Sequence, residues 1–422
     1  MPSYATDPAT PAIAGDPEPR QMPPRRMVPL LAGITAVAPL AINIYIPSLP
    51  NIAASLQTDT GTVQLTVTLY LVAVAVGQLT LGPLSDRLGR RPVLITGMAV
   101  YVLASLAAAV APDVWSLIAA RVLQALGGCA GLVLGRAIVR DIYDRDTSAS
   151  MLGYVTTVMV IVPMAAPTIG GLLDVAFGWR SSFVLVAALG AVMLGLVLTA
   201  LPETHPPQKG NSDGSTSPIR GESLKLLRDK AFLGYAGVAS AGAGMYFSFI
   251  AGAPFLVVGP MGRKPYEYGL WFVCLAGGYM TGNFISGRLS QRAGLDRLLA
   301  FGAVLAVFGG VLVVAAALFL PLSPPSLFLP MILVSIANGF TTANGIAGAV
   351  SVNPRLAGAA SGFAGAAQMA TGAVATQIVG SVMTESALPL TLTVFAFALL
   401  VFLSWGGLVR PARRALPLRA AE

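Results

Sequence analysis

Charge is scarce in this sequence. Asp, Glu, Lys and Arg make up 10% of its 422 residues, whereas hydrophobic residues make up 55%. Mean hydropathy is +0.76, more apolar surface than one soluble core can cover. There is one histidine, His205, in a polar central stretch. The two cysteines, Cys129 and Cys274, both fall in apolar runs, so no disulfide framework is indicated. No HExxH string, no paired aspartates within an apolar run and no Ser/His pair within reach are found. That excludes the familiar hydrolytic and zinc chemistries. The chain is not expected to be an enzyme, and neither a metal site nor a cofactor is expected.

What is abundant is long apolar runs. Twelve segments near twenty residues recur at about 29–50, 62–83, 92–110, 116–138, 148–172, 181–200, 231–254, 268–287, 298–320, 326–350, 358–382 and 390–409. Backbone groups in hydrocarbon must bond internally, so each is expected to be a helix. The expected fold class is an all-α integral membrane protein. Its twelve transmembrane helices form two pseudo-symmetric six-helix bundles, 29–202 and 231–410. Residues 1–28 and 411–422 read as polar tails, the first disordered and without a cleavable signal. Residues 203–230 read as a cytoplasmic linker, with a short surface helix at Ser223–Lys230.

The net charge of +8 is organised by topology. With residue 1 in the cytoplasm, 22 of the 26 Lys and Arg fall on the cytoplasmic side, among them Arg136 and Arg140 near the end of the fourth segment. This positive-inside bias places both termini in the cytoplasm and removes any need for a nucleic-acid partner. The halves also read as repeats. An offset of 201 pairs Gly77 with Gly278, Thr80 with Thr281, Arg87 with Arg288 and Leu88 with Leu289. Such repeats around a midplane site are typical of secondary transporters.

The densest charge lies in Gly82-Pro83-Leu84-Ser85-Asp86-Arg87-Leu88-Gly89-Arg90-Arg91, between the second and third segments. Gly82 allows close helix approach, Gly89 a tight turn, and Asp86 can face the positive end of a neighbouring helix. Arg87, Arg90 and Arg91 can hold phosphates or carboxylates. The string GxLxDRxGRR resembles the signature loop of the major facilitator superfamily. The resemblance implies a conformational latch made of Gly82, Asp86, Arg87, Gly89, Arg90 and Arg91. In it, Asp86 meets the start of helix 11, here Gly358-Ala359-Ala360-Ser361-Gly362.

Helix 4 carries Arg121-Val122-Leu123-Gln124-Ala125-Leu126-Gly127, similar to the RxxQG motif of that family, with Ala125 where glycine is usual. Arg121 and Gln124 share a face. A charge inside a span normally faces an aqueous cavity; a position near the helix start also allows snorkelling to the outer interface. Helix 5 carries Pro163, Pro167, Gly170 and Gly171, which resemble the GPxxGG motif of its antiporters, with Ala166 in place of the first glycine. The prolines bend the helix and the glycines admit a neighbour, with Gly277, Gly278 and Gly282 of helix 8 as the expected facing surface.

Further strings are similar to the bicyclomycin/chloramphenicol resistance (Bcr/CflA-type) multidrug efflux branch: Asn43-Ile44-Tyr45-Ile46-Pro47, Trp179-Arg180-Ser181-Ser182-Phe183, Leu201-Pro202-Glu203-Thr204 and Ala253-Pro254-Phe255. One position departs. The family's usual helix 1 aspartate, taken to bind a proton or a cationic drug, is Asn43 here, which does not titrate. None of the 18 Asp and Glu falls in the middle third of a segment. Proton coupling through Asp86 or Asp174, coupling by another route, and no coupling all stay open. Neutral or anionic substrates fit Arg121 better than cations do.

The expected substrate-binding set is Asn43, Tyr45, Tyr70, Arg121, Gln124, Tyr246, Phe249, Asn338 and Gln368, amides and amphipathic aromatics in an apolar wall. What the resemblance implies is a monomeric exporter of small amphipathic drugs in the bacterial inner membrane. It would work by alternating access, in exchange for protons, with the proton gradient as energy source and the lipid bilayer as its surroundings. The alternative is a facilitator or exporter of a small metabolite without that coupling.

Overall fold

The computed structural model describes residues 27–205 and 225–412. Twelve long helices account for nearly all of them. They are α1 Met27–Asn43, α2 Thr60–Leu88, α3 Arg90–Ala109, α4 Val114–Ile142, α5 Arg145–Phe177, α6 Arg180–Ala200, α7 Lys230–Val258, α8 Pro265–Ala293, α9 Leu295–Phe319, α10 Pro324–Ser351, α11 Ala357–Val382 and α12 Leu388–Ser404. The expected tails fall largely outside the described residues. Of the expected surface helix at Ser223–Lys230, a 3-10 turn at Leu226–Arg228 lies within them.

Local chemistry sets the helix ends. The α1 helix stops at Asn43 because Pro47, four residues on, has no N–H to donate to the Asn43 carbonyl and its ring crowds that oxygen. The chain continues through a 3-10 turn, Ile46–Ser48, into the short helix Leu49–Ser55. Side chains of Asp59, Asp113, Asp144, Asp229 and Ser323 accept backbone N–H groups at the starts of α2, α4, α5, α7 and α10. The donated Ser116 N–H holds the Asp113 carboxyl below the ordinary carboxylate range. Gly89 and Gly294 end α2 and α8 with φ of +95° and +78°, a region that favours glycine. Large apolar side chains such as Leu103, Phe177, Phe301 and Phe319 remain on the outside, as a lipid-facing surface requires.

The packing repeats by six. In the first half α4 packs on α1, α2 and α3, while α1 also meets α5 and α6, and α3 meets α6. In the second half α10 packs on α7, α8 and α9, while α7 also meets α11 and α12, and α9 meets α12. The halves join through two symmetry-related pairs, α2 with α11 and α5 with α8. Ten of the twelve are long and apolar enough to cross a membrane, α1 taken with its extension to Ser55 and α12 with its continuation to Ala412. The two that fall short, α8 and α11, both belong to these joining pairs.

The register of the repeat differs from the expected offset of 201. The equivalent turn glycines, Gly89 and Gly294, lie 205 positions apart, which aligns Gly82 with Gly287, Ser85 with Ser290 and Arg87 with Arg292. The local bonds agree: Ser85 Oγ donates to the Gly82 carbonyl at 2.7 Å and Ser290 Oγ to the Gly287 carbonyl at 2.8 Å. Four residues is about one helical turn, so the earlier register kept the same face and slipped along it.

Candidate functional site

A cavity of about 480 Å³ lies between the halves. Its wall draws on α1, α2, α4 and α5 from one half and α7, α8, α10 and α11 from the other. Of the nine residues expected to line it, six do: Asn43, Tyr70, Tyr246, Phe249, Asn338 and Gln368. Apolar side chains dominate the remainder, among them Phe247, Phe272, Met159 and Met331. No Asp, Glu or Lys lines it among the described residues.

The cavity is closed at the face opposite the basic loops. There, Tyr246 Oη donates to Asn43 Oδ1 at 2.8 Å and Gln64 Nε2 donates to the Ala251 carbonyl at 2.6 Å. The hydroxyls of Thr68 and Thr376 lie 2.8 Å apart, and Thr68 Oγ1 donates to Gln377 Oε1 at 3.3 Å. Each of these bonds crosses from one half to the other. Backbones also press together at this end. A Cβ on Gly380 would lie 2.9 Å from Gln64, one on Gly171 would lie 2.5 Å from Tyr266 Cα, and one on Gly269 would overlap the backbone of Thr168. Toward the basic loops the joining pairs separate: a Cβ on Gly82, Gly153, Gly287, Gly358 or Gly362 would meet nothing within 4 Å.

Tyr45, Arg121 and Gln124 do not line the cavity. Arg121 is fully buried behind it, which also rules out snorkelling to an interface. Its guanidinium carbon sits 4.1 Å from the ring centres of both Tyr45 and Tyr70. Its Nη1 donates to the Ala41 carbonyl at 3.0 Å and to Gln124 Oε1 at 2.5 Å. Gln124 Nε2 in turn donates to Ser105 Oγ at 2.7 Å. No carboxylate joins this network among the described residues. Two aromatic faces and a carbonyl replace the lost hydration, each desolvated cation–π contact contributing about 2 kcal/mol. Nε and Nη2 of Arg121 are buried without a hydrogen-bond partner among the described residues. Tyr70 is the partition: its ring covers Arg121 on one side and faces the cavity on the other, and its hydroxyl donates to the Ala38 carbonyl at 3.0 Å.

Among the described residues, Asp86 makes no hydrogen bond or ion pair with the start of α11. Asp86 instead pairs with Arg90 at 2.6 Å, one turn away, and remains 55% exposed. Arg90 is the hub. Its Nε donates to Asp141 Oδ2 at 3.0 Å and its Nη1 to Ser85 Oγ at 2.5 Å. The Arg90 and Arg91 backbone N–H groups donate to the Glu203 carboxylate, and Arg91 Nη2 to the Leu198 carbonyl at 2.8 Å. The loop thus ties α2 to α3, α4 and the end of α6 within one half. With the joining helices apart at this face, Gly82 is not in close contact and Asp86 has no α11 within reach. The aligned positions in the second half are Gln291 and Leu295, so the charged hub is not repeated there.

The α5 motif is used, but not against the expected surface. Pro163 lines the cavity. A Cβ on Gly170 would overlap the Ile44 carbonyl oxygen of the α1 extension, and Gly171 abuts Pro265 and Tyr266 at the start of α8, where Gly269 faces Pro167 and Thr168. Gly278 and Gly282 face Ile332 and Ile336 of α10 instead, and Gly277 faces open space. Near the same end Asp174 is buried and accepts from Asn51 Nδ2 at 2.7 Å.

Several wall residues were missed as such. Arg136 lines the cavity, although the positive-inside pattern placed it with Arg140 at the cytoplasmic end of helix 4. The α4 helix runs on to Ile142, about one turn past the expected end at 138, which draws Arg136 inside. Its position within an apolar run was the available signal. Gln78, against which a Cβ on Gly365 would collide, is a second missed wall residue.

Comparison with known proteins agrees with this architecture. The family model described as Major Facilitator Superfamily matches residues 31–376. A chloramphenicol resistance protein of Pseudomonas aeruginosa is 34% identical over 338 residues, covering 79% of this chain and 76% of that protein. A bicyclomycin resistance protein homolog of Haemophilus influenzae is 27% identical over 373 residues, 88% of this chain and 93% of that one. Among solved structures, a bacterial homolog to the human lysosomal transporter Spinster, in an inward-facing and unoccupied conformation, superposes with a TM-score of 0.72. It is 14% identical and covers 93% of this chain and 97% of that one; at that identity it supports the fold.

Proposed function

This chain belongs to the major facilitator superfamily and is a multi-pass membrane transporter rather than an enzyme, and from that premise we propose that it exports small amphipathic drugs across the inner membrane by alternating access. The carrying observation is the cavity of about 480 Å³ between two six-helix halves, closed at one face by cross-half hydrogen bonds and glycine contacts. Its apolar wall with scattered amides suits varied drug-sized molecules. The resistance-named relatives support the same substrate class. In this reading the basic loops face the cytoplasm, both termini lie there, and the protein works as a monomer. Export then requires the Asn43–Tyr246 layer to open and the α2–α11 pair to close at the Asp86 loop.

The wall's lack of carboxylates favours a second reading, transport without proton exchange. Asp86 and Asp174, both away from the cavity wall, are the candidate proton sites for the first. The test is reconstitution into liposomes with a trapped pH dye and addition of chloramphenicol-like compounds. Substrate-dependent proton flux supports the antiporter. Substrate movement without it supports the facilitator, and movement of none of the compounds overturns the drug reading.

A further inference from the structure

The charge of the cavity wall points to one substrate chemistry. Among the described residues lining it, Arg136 is the one that is charged. It is exposed to the cavity space, and its single hydrogen bond among the described residues goes to Met159 Sδ at 3.5 Å. A thioether is a weak acceptor and leaves most of the guanidinium's five donors free. The position is well inside the span, six residues or about 9 Å from the end of α4. The nearby basic residue, Arg140, adds positive potential rather than neutralising it.

We infer, on the reading of this cavity as the transport site, that Arg136 makes it an acceptor for amphipathic anions: molecules with an apolar body and one carboxylate, sulfonate or phosphate group. The apolar body lies against the aromatic wall, and the planar guanidinium takes the anionic oxygens in bidentate fashion. A cationic molecule of the same shape meets an unpaired positive charge and no acid. Specificity would come from this repulsion as much as from the attraction. Arg121 does not supply the same service, because Tyr45 and Tyr70 cover it and it is fully buried. The ligand could come from solution or be the headgroup of an anionic lipid; the substrate assigned here is the soluble amphiphile.

The test uses full-length protein in phosphatidylcholine nanodiscs and three probes with one body: 2-naphthylacetate, 2-naphthylacetamide and 2-naphthylethylammonium, each titrated by calorimetry. The acetate should bind about 10- to 100-fold more tightly than the amide, as expected for a hydrogen bond to a charged group, and the ammonium more weakly still. Arg136→Gln should erase the difference between acetate and amide while leaving the unfolding midpoint unchanged. Arg136→Lys should keep part of it, and Arg140→Gln most of it. Equal binding of acetate and amide by the unaltered protein, or an acetate preference surviving in Arg136→Gln, overturns the assignment and leaves the transport reading intact. Failure of all three probes to bind overturns the cavity reading itself. Repeating the titration with phosphatidylglycerol in the disc separates the two sources. A retained preference supports the soluble anion, and its loss by competition assigns Arg136 to a lipid headgroup instead.

Discussion

The Tyr246 hydroxyl donates to the Asn43 amide oxygen across 2.8 Å, joining α1 of one half to α7 of the other at the closed end of the cavity. Asn43 completes its own bonding by donating Nδ2 to the Pro39 carbonyl at 2.8 Å. The residue that replaces the family's usual acid is therefore a neutral strut between the halves. Tyr246→Phe removes one hydrogen bond, worth about 1 kcal/mol. It should shift the population toward opening at this face, read as faster labelling of a cysteine placed at Gln377.

Asn43→Asp keeps the acceptor for Tyr246 but loses the donor to Pro39, and it gives the cavity its first carboxylate. The variant should gain export of cationic drugs, most strongly above the carboxylate's pKa, where the group is charged. Drug accumulation in cells expressing either form checks this; unchanged cation export would show that the surrounding wall no longer admits a cation.

Asp86→Asn should abolish transport while leaving the unfolding midpoint almost unchanged. An exposed ion pair such as Asp86–Arg90 contributes about 0–1 kcal/mol to this conformation, whereas the latch contact proposed for Asp86 requires the state in which α11 approaches. Arg90→Ala should cost more stability, because Asp86, Asp141 and Ser85 each lose a bond to its guanidinium together. Full transport by Asp86→Asn removes the latch reading.

Two glycine substitutions should behave oppositely. Gly170→Ala places a methyl on the Ile44 carbonyl, and overpacking of this kind costs about 1–3 kcal/mol. Gly82→Ala meets nothing within 4 Å and replaces a helix-interior glycine, which should stabilise this conformation by about 0.5–1 kcal/mol. Thermal unfolding of the purified variants in one detergent compares them directly.

Arg121→Ala should abolish transport with the protein still inserted, and should lower the unfolding midpoint. The substitution removes both cation–π contacts and leaves Gln124 Oε1 without its donor. Arg121→Lys should recover stability only in part, because an ammonium lacks the planar fork that stacks between two rings. Equal recovery by lysine would show that charge alone matters there.

Much of this protein follows from its sequence for simple reasons. Twenty-residue apolar runs in lipid have to be helices, so the twelve segments could be counted directly. Gly89 marks a turn because its backbone conformation favours glycine, whereas its partner Gly294, which sets the true register of the repeat, emerged from the structure. The charged loop between α2 and α3 was legible because charge is rare elsewhere. What tertiary structure alone decided was depth. Arg121 and Arg136 lie fifteen positions apart on α4, which leaves them on nearly the same face and about 22 Å apart along the helix. At the level of Arg121 the halves are closed, and Tyr45 and Tyr70 seal it into the protein. At the level of Arg136 they have separated, and the same face of the same helix becomes cavity wall. Helical periodicity gives the direction of a side chain; how far the neighbouring helices stand away at that height depends on contacts such as Gly171 against Tyr266 and Asn43 against Tyr246, between residues far apart in the chain.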